Sequence, residues 1–128
     1  MSSNYPATPD ATRGRILVVD DEAEICVLLG EFLTSKGYRV TTATSGGEAL
    51  MKVHQEDLDA VLLDIRMPDM SGLDVLREIR TMGKAMYVVV VTALEDETTR
   101  QEAQRLGADD YVTKPFHLSH LEGLLEGR

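Results

Sequence analysis

The stretch ILVVDD, residues 16–21, decides the fold. Ile16, Leu17, Val18 and Val19 form a continuous apolar run with no polar alternation, the pattern of a strand buried on both faces. The run stops abruptly at Asp20-Asp21. Outward from it, Ile25, Leu28, Leu29, Phe32 and Leu33 recur at i, i+3, i+4, i+7 and i+8, which predicts an amphipathic helix ending near Gly37. Arg39 to Ala43 reads as a short strand, and Ser45 as the cap of a helix with Ala49, Leu50 and Val53 on one face. Ala60 to Leu63 is a further apolar strand ending in Asp64; a loop with Pro68 and Gly72 leads to a helix bearing Leu73, Leu76 and Ile79. Tyr87 to Val91 is the most β-branched segment and ends at Thr92. A weakly amphipathic helix around Glu97 to Leu106, then Gly107, a short strand Tyr111 to Thr113 and a helix with Leu118, Leu121, Leu124 and Leu125 complete the pattern.

Strands followed by helices over such short connections need right-handed crossovers, so the expected fold class is α/β. The expected architecture is a doubly wound five-stranded parallel sheet, strand order 2-1-3-4-5, with helices on both faces. Residues 1–14, MSSNYPATPDATRG, show no hydrophobic period and are expected to be a disordered tail ahead of one domain over residues 15–128. The 128 residues carry 13 Lys+Arg against 22 Asp+Glu, a formal charge of −9. Nucleic-acid backbones and anionic membranes both call for clustered cations, so neither is an expected partner. The apolar run over residues 85–91 is far shorter than the roughly 18 residues of a membrane span. With a lone Cys26 and no stretch that reads as a signal peptide, the cytoplasm is the expected compartment.

In that topology ligands bind outside the carboxyl ends of the strands. The residues there are Asp20, Asp21, Asp64, Thr92 and Lys114. Two like charges about 4 Å apart repel by roughly 4 kcal/mol at an effective dielectric near 20, so three clustered carboxylates need compensation. One lysine does not balance three acids, and Mg²⁺ is the natural complement of such an oxygen donor set. With no histidine base and no activated serine or cysteine in range, the chemistry pointed to is attack of a carboxylate on phosphorus, giving an aspartyl phosphate. Lys114, the Thr92 hydroxyl and the Ala93 N–H would then neutralise the phosphoryl oxygens.

The motifs VVDDE (residues 18–22), LLDIRMPDMSGLDVL (62–76), VVVTA (89–93) and GADDYVTKPF (107–116) resemble the receiver domain of bacterial two-component response regulators. The resemblance covers residues 15–126 and implies the flavodoxin-like receiver fold. It implies Asp64 as the phospho-acceptor, Asp21 as a direct Mg²⁺ ligand, Asp20 as a ligand directly or through water, and the Arg66 backbone carbonyl as a further one. It also implies that Lys114 pairs with the acceptor, that Thr92 and Tyr111 move together as a switch, and that the Lys114–Pro115 peptide is cis. The side chains of Arg66 and Leu94 would overhang the pocket, while Arg66 read on its own, a long charged side chain on a loop, is expected to point to solvent. The surface remodelled would be that of helix 4, strand 5 and helix 5, also the candidate homodimer contact. Implied partners are a sensor histidine kinase or phosphotransfer protein and an output domain or downstream effector. Two other classes fit less well. A haloacid-dehalogenase-type phosphatase needs Asp-x-Asp after its first strand, whereas these acids are adjacent; an FMN carrier needs a phosphate cradle where Asp20-Asp21-Glu22 would repel one.

Overall fold

The computed structural model describes residues 13–128. Its elements alternate as β1 (Arg15–Val19), α1 (Ala23–Ser35), β2 (Arg39–Ala43), α2 (Gly46–Gln55), β3 (Ala60–Leu63), α3 (Gly72–Thr81), β4 (Tyr87–Thr92), α4 (Glu97–Arg105), β5 (Asp110–Thr113) and α5 (Leu118–Glu126). All strand pairs are parallel, in the order β2-β1-β3-β4-β5. The α/β class and strand order expected from the sequence are therefore those observed.

Period-two alternation along the strands feeds two cores. Ile16, Val18, Leu62, Val89 and Val91 pack with Leu29, Leu33, Leu121 and Leu125 of α1 and α5. Leu17, Val19, Val61, Leu63 and Val88 pack with Ala49, Val53, Leu76 and Ile79 of α2 and α3. Each fully buried aliphatic side chain contributes about 1.5–3 kcal/mol, which is how a core with few aromatics holds the sheet.

One expectation about α1 needs correcting. Leu28 was expected on the buried stripe but is 45% exposed, and Cys26 takes its place in the core beside Leu29 and Leu33. On a helix Leu28 lies about 100° around from Leu29 whereas Cys26 lies about 60° on the other side, so a face centred on Leu29 covers the thiol and leaves the leucine out.

The expected tail over residues 1–14 falls outside the described residues as far as residue 12. Arg13 and Gly14 are tied to the domain: Arg13 N–H donates to Gly37 O, Gly14 O accepts from Arg39 N–H, and the Arg13 guanidinium lies over the Tyr38 ring. At the α4–β5 turn Gly107 has φ of 106°, a left-handed conformation suited to glycine. Its carbonyl accepts two bonds from the Arg80 guanidinium, which also donates to the Lys84 and Met86 carbonyls and to Asp109. That side chain sews the end of α3 to the start of β5.

Candidate functional site

Backbone pairing continues one residue past the strands and sets the site. Asp20 N–H donates to Ala43 O, Asp64 N–H to Val19 O, and Lys114 N–H to Thr92 O. The ladder thereby delivers Asp20, Asp64 and Lys114 to one end of the sheet. The loop after β3 is packed tightly beneath them: Gly72 N–H donates to Ile65 O at 2.8 Å, and a Cβ on Gly72 would lie 2.1 Å from the Asp64 carbonyl oxygen.

The side chains converge as the sequence leads one to expect. Lys114 Nζ stands 2.7 Å from Asp20 Oδ2, 3.1 Å from Asp64 Oδ2 and 3.4 Å from Glu22 Oε1. Carboxylate oxygens of Asp20, Asp21 and Asp64 all lie within 4.8 Å of one another. Asp20 and Asp64 are buried while Asp21 is exposed, so the cluster opens to solvent on the Asp21 side. The second oxygen of Asp20 accepts the Glu22 N–H, and Asp64 Oδ1 accepts the Arg66 N–H at 3.3 Å.

Burial pushes the Asp20 carboxyl above the usual carboxylate value, against the opposing bonds from Lys114 and the Glu22 amide. Burial alone would lower the Lys114 ammonium, but bonds and charges from Asp20 and Asp64 outweigh it and raise the group, keeping it charged. One ammonium thus faces Asp20, Asp64 and Glu22, with Asp21 left over. Hard oxygen donors on a solvent-open rim suit Mg²⁺, which binds through one or two carboxylates and keeps several waters.

The remaining expected residues are arranged around this cluster. Thr92 is fully buried, and its hydroxyl accepts the Leu94 N–H at 3.4 Å. Tyr111 is half-buried and donates to Leu94 O at 2.7 Å, so Thr92 and Tyr111 meet on the turn after β4 that also carries Ala93. The Arg66 side chain is exposed, and the Lys114–Pro115 peptide is cis. Sequence reasoning missed two contributors. Asp69 accepts the N–H groups of Gly46 and Gly47 at 2.9 Å each, docking the β3–α3 loop on the start of α2. Glu22, read from the sequence only as a motif residue and as a charge that would repel a phosphate, is the third acid on Lys114.

Comparison with known proteins agrees with this geometry. The family model described as the response regulator receiver domain matches residues 16–126. The probable transcriptional regulator ycf27 of Guillardia theta is 46% identical over 87% of this chain and 43% of its own length. The transcriptional regulatory protein ZraR of Escherichia coli is 40% identical over 87% of this chain and 25% of its own. The chain therefore spans less than half the length of these curated relatives. Among solved structures, the response regulator TrrA of Thermotoga maritima, in complex with Mg²⁺ and BeF, superposes with a TM-score of 0.80 at 41% identity, covering 88% of this chain and 96% of that one. Phosphorylation on an aspartate is the general function of such domains, and their site binds Mg²⁺ at an acidic cluster. The chain belongs to the response regulator receiver domain family, the signalling module of two-component systems.

Proposed function

We propose that Asp64 is the residue that accepts the phosphoryl group, from a phosphohistidine on a sensor histidine kinase or phosphotransfer protein. The observation that carries this reading is the placement of Asp64: buried at the end of β3, 3.1 Å from Lys114 Nζ and sharing its pocket with Asp20 and Asp21. An Asp64 carboxylate oxygen attacks phosphorus as the phosphorus–nitrogen bond breaks. The bonding pair passes to the imidazole, which takes up a proton. Hydrolysis reverses the state: water attacks phosphorus, the bond to the Asp64 oxygen breaks, and inorganic phosphate leaves with the carboxylate restored.

Asp20, Asp21, Asp64 and the Arg66 carbonyl would hold Mg²⁺, which supplies charge neutralisation for the equatorial phosphoryl oxygens when bound. Lys114 neutralises one oxygen while remaining paired with Asp20. The Thr92 hydroxyl and the Ala93 N–H turn to another, which breaks the Thr92–Leu94 contact and couples the site to Tyr111. The chain in this reading catalyses its own phosphorylation and dephosphorylation, and its α4–β5–α5 surface reports the state to an output domain or effector. That surface is also where a homodimer would form. Among the described residues no helix is long and apolar enough to cross a membrane, and the cytoplasm is the compartment we assign.

The test is incubation with Mg²⁺ and acetyl phosphate, followed by intact mass measurement. One phosphoryl adduct, stable in acid and lost in base or hydroxylamine, is expected for the native sequence and none for Asp64→Asn. An adduct that persists in Asp64→Asn overturns the assignment.

A further inference from the structure

The Tyr111 ring is held at two points. Its hydroxyl donates to Leu94 O at 2.7 Å, and the Arg100 guanidinium lies over its face at 5.0 Å from the centroid. Leu94 in turn donates its N–H to the Thr92 hydroxyl. A short physical chain therefore runs from Arg100 on α4, through Tyr111 on β5, to the turn that carries Thr92 and Ala93.

The position of Arg100 is not explained by its helix. It follows the Asp96 cap, with its N–H donating to Asp96 O, so its cation sits close to the positive end of the α4 dipole, where an acid would stabilise more. It is exposed and joins no ion pair among the described residues, although Asp96 and Glu97 are close in sequence. The π face of Tyr111 is what its charge meets. The stack also lines an open groove of about 260 Å³ between α4 and β5.

We propose that Arg100 is a positioning residue for the switch: stacked on Tyr111, it holds the hydroxyl on Leu94 O and links the α4–β5 groove to Thr92 and the phosphoryl site. The assignment rests on the reading of Asp64 given above. By linkage, whatever difference phosphorylation makes to the free energy of the stack, the stack makes to retention of the phosphoryl group.

The experiment uses the full chain with Mg²⁺ and beryllofluoride as the phosphoryl probe, together with NMR of the Tyr111 ring in the presence and absence of that probe. Arg100→Ala and Arg100→Gln are expected to shift the Tyr111 resonances and change beryllofluoride affinity about two- to fivefold, the worth of an exposed cation–π contact. Arg100→Lys, which keeps a cation over the ring, is expected to restore both. In a Tyr111→Leu background Arg100→Ala is expected to add nothing. Unchanged ring resonances or unchanged beryllofluoride affinity in Arg100→Ala, or an equal change of affinity in the Tyr111→Leu background, overturns the proposal. Failure of the native chain to bind beryllofluoride would refute the Asp64 reading instead, and the ring resonances without the probe still decide the role of Arg100.

Discussion

The Lys114 ammonium lies closer to Asp20, at 2.7 Å, than to Asp64, the proposed acceptor, at 3.1 Å. Lys114 is thus an electrostatic bridge across the sheet, joining the ends of β1 and β3 from a point just beyond β5. Removing it leaves two buried carboxylates facing each other. Lys114→Ala is expected to lose about 3–5 kcal/mol of stability without metal, the cost of breaking a buried ion pair by removing one partner. Urea denaturation in EDTA measures this. Added Mg²⁺ is expected to recover part of the loss by supplying the missing positive charge.

Asp21 behaves in the opposite sense. It is exposed and takes no bond from Lys114, so without metal it contributes mainly repulsion to Asp20 and Asp64. Asp21→Asn is expected to stabilise the chain in EDTA by about 0.2–1 kcal/mol, the scale of an exposed charge pair. Mg²⁺ at a hundredfold over its Kd should stabilise the native sequence by about 2.7 kcal/mol by mass action. Thermal unfolding with and without Mg²⁺ is the measurement, and the Mg²⁺-dependent rise in Tm should be largely lost in Asp21→Asn.

The division between what was legible in the sequence and what was not follows from range. The run Ile16 to Val19 and the strand-end residues Asp20, Asp64, Thr92 and Lys114 were readable because continuous apolar runs joined by short crossovers leave few topologies. Lys114's nearer approach to Asp20 was not, because side-chain reach is set by a contact across 94 residues. Arg80 and Asp69 were missed for a related reason. A Met-Pro-Asp-Met stretch reads as loop packing and a helix arginine names no partner until folding brings the start of α2 to Asp69 and the Gly107 carbonyl to Arg80. Leu28 and Cys26 exchanged places because a helix stripe is defined to within about one residue until the surface it meets is known.

The Asp69 contact carries a pH dependence. Amide bonds from Gly46 and Gly47 hold its carboxyl below the usual carboxylate value. An acid with a depressed folded pKa contributes stability that is fully present above its unfolded value, about 3.9, and is lost as pH falls through the folded value. Asp69→Ala is therefore expected to be less stable than the native sequence at neutral pH, with the difference vanishing only in strong acid. Denaturant midpoints across an acid series check the sign. A gap that widened as pH fell would be inconsistent with this role.

Gly72 ties the fold to the chemistry most directly. A methyl group there would meet the Asp64 carbonyl oxygen at 2.1 Å and the Ile65 Cα at 2.9 Å, and both obstacles are backbone. No rotamer relieves the clash, so either α3 moves away or the end of β3 shifts. Overpacking of this kind costs about 1–3 kcal/mol and sometimes more. Because the nearest obstacle is the backbone of Asp64 itself, Gly72→Ala is expected to lose phosphoryl uptake out of proportion to its stability. The check is to measure acetyl phosphate labelling and urea stability on the same sample. The comparison variant is Gly123→Ala, where an added Cβ meets nothing within 4 Å, and labelling and stability are both expected to hold. If Gly72→Ala labelled at the native rate while folded, the close approach of α3 to Asp64 would be a packing feature without consequence for the acceptor.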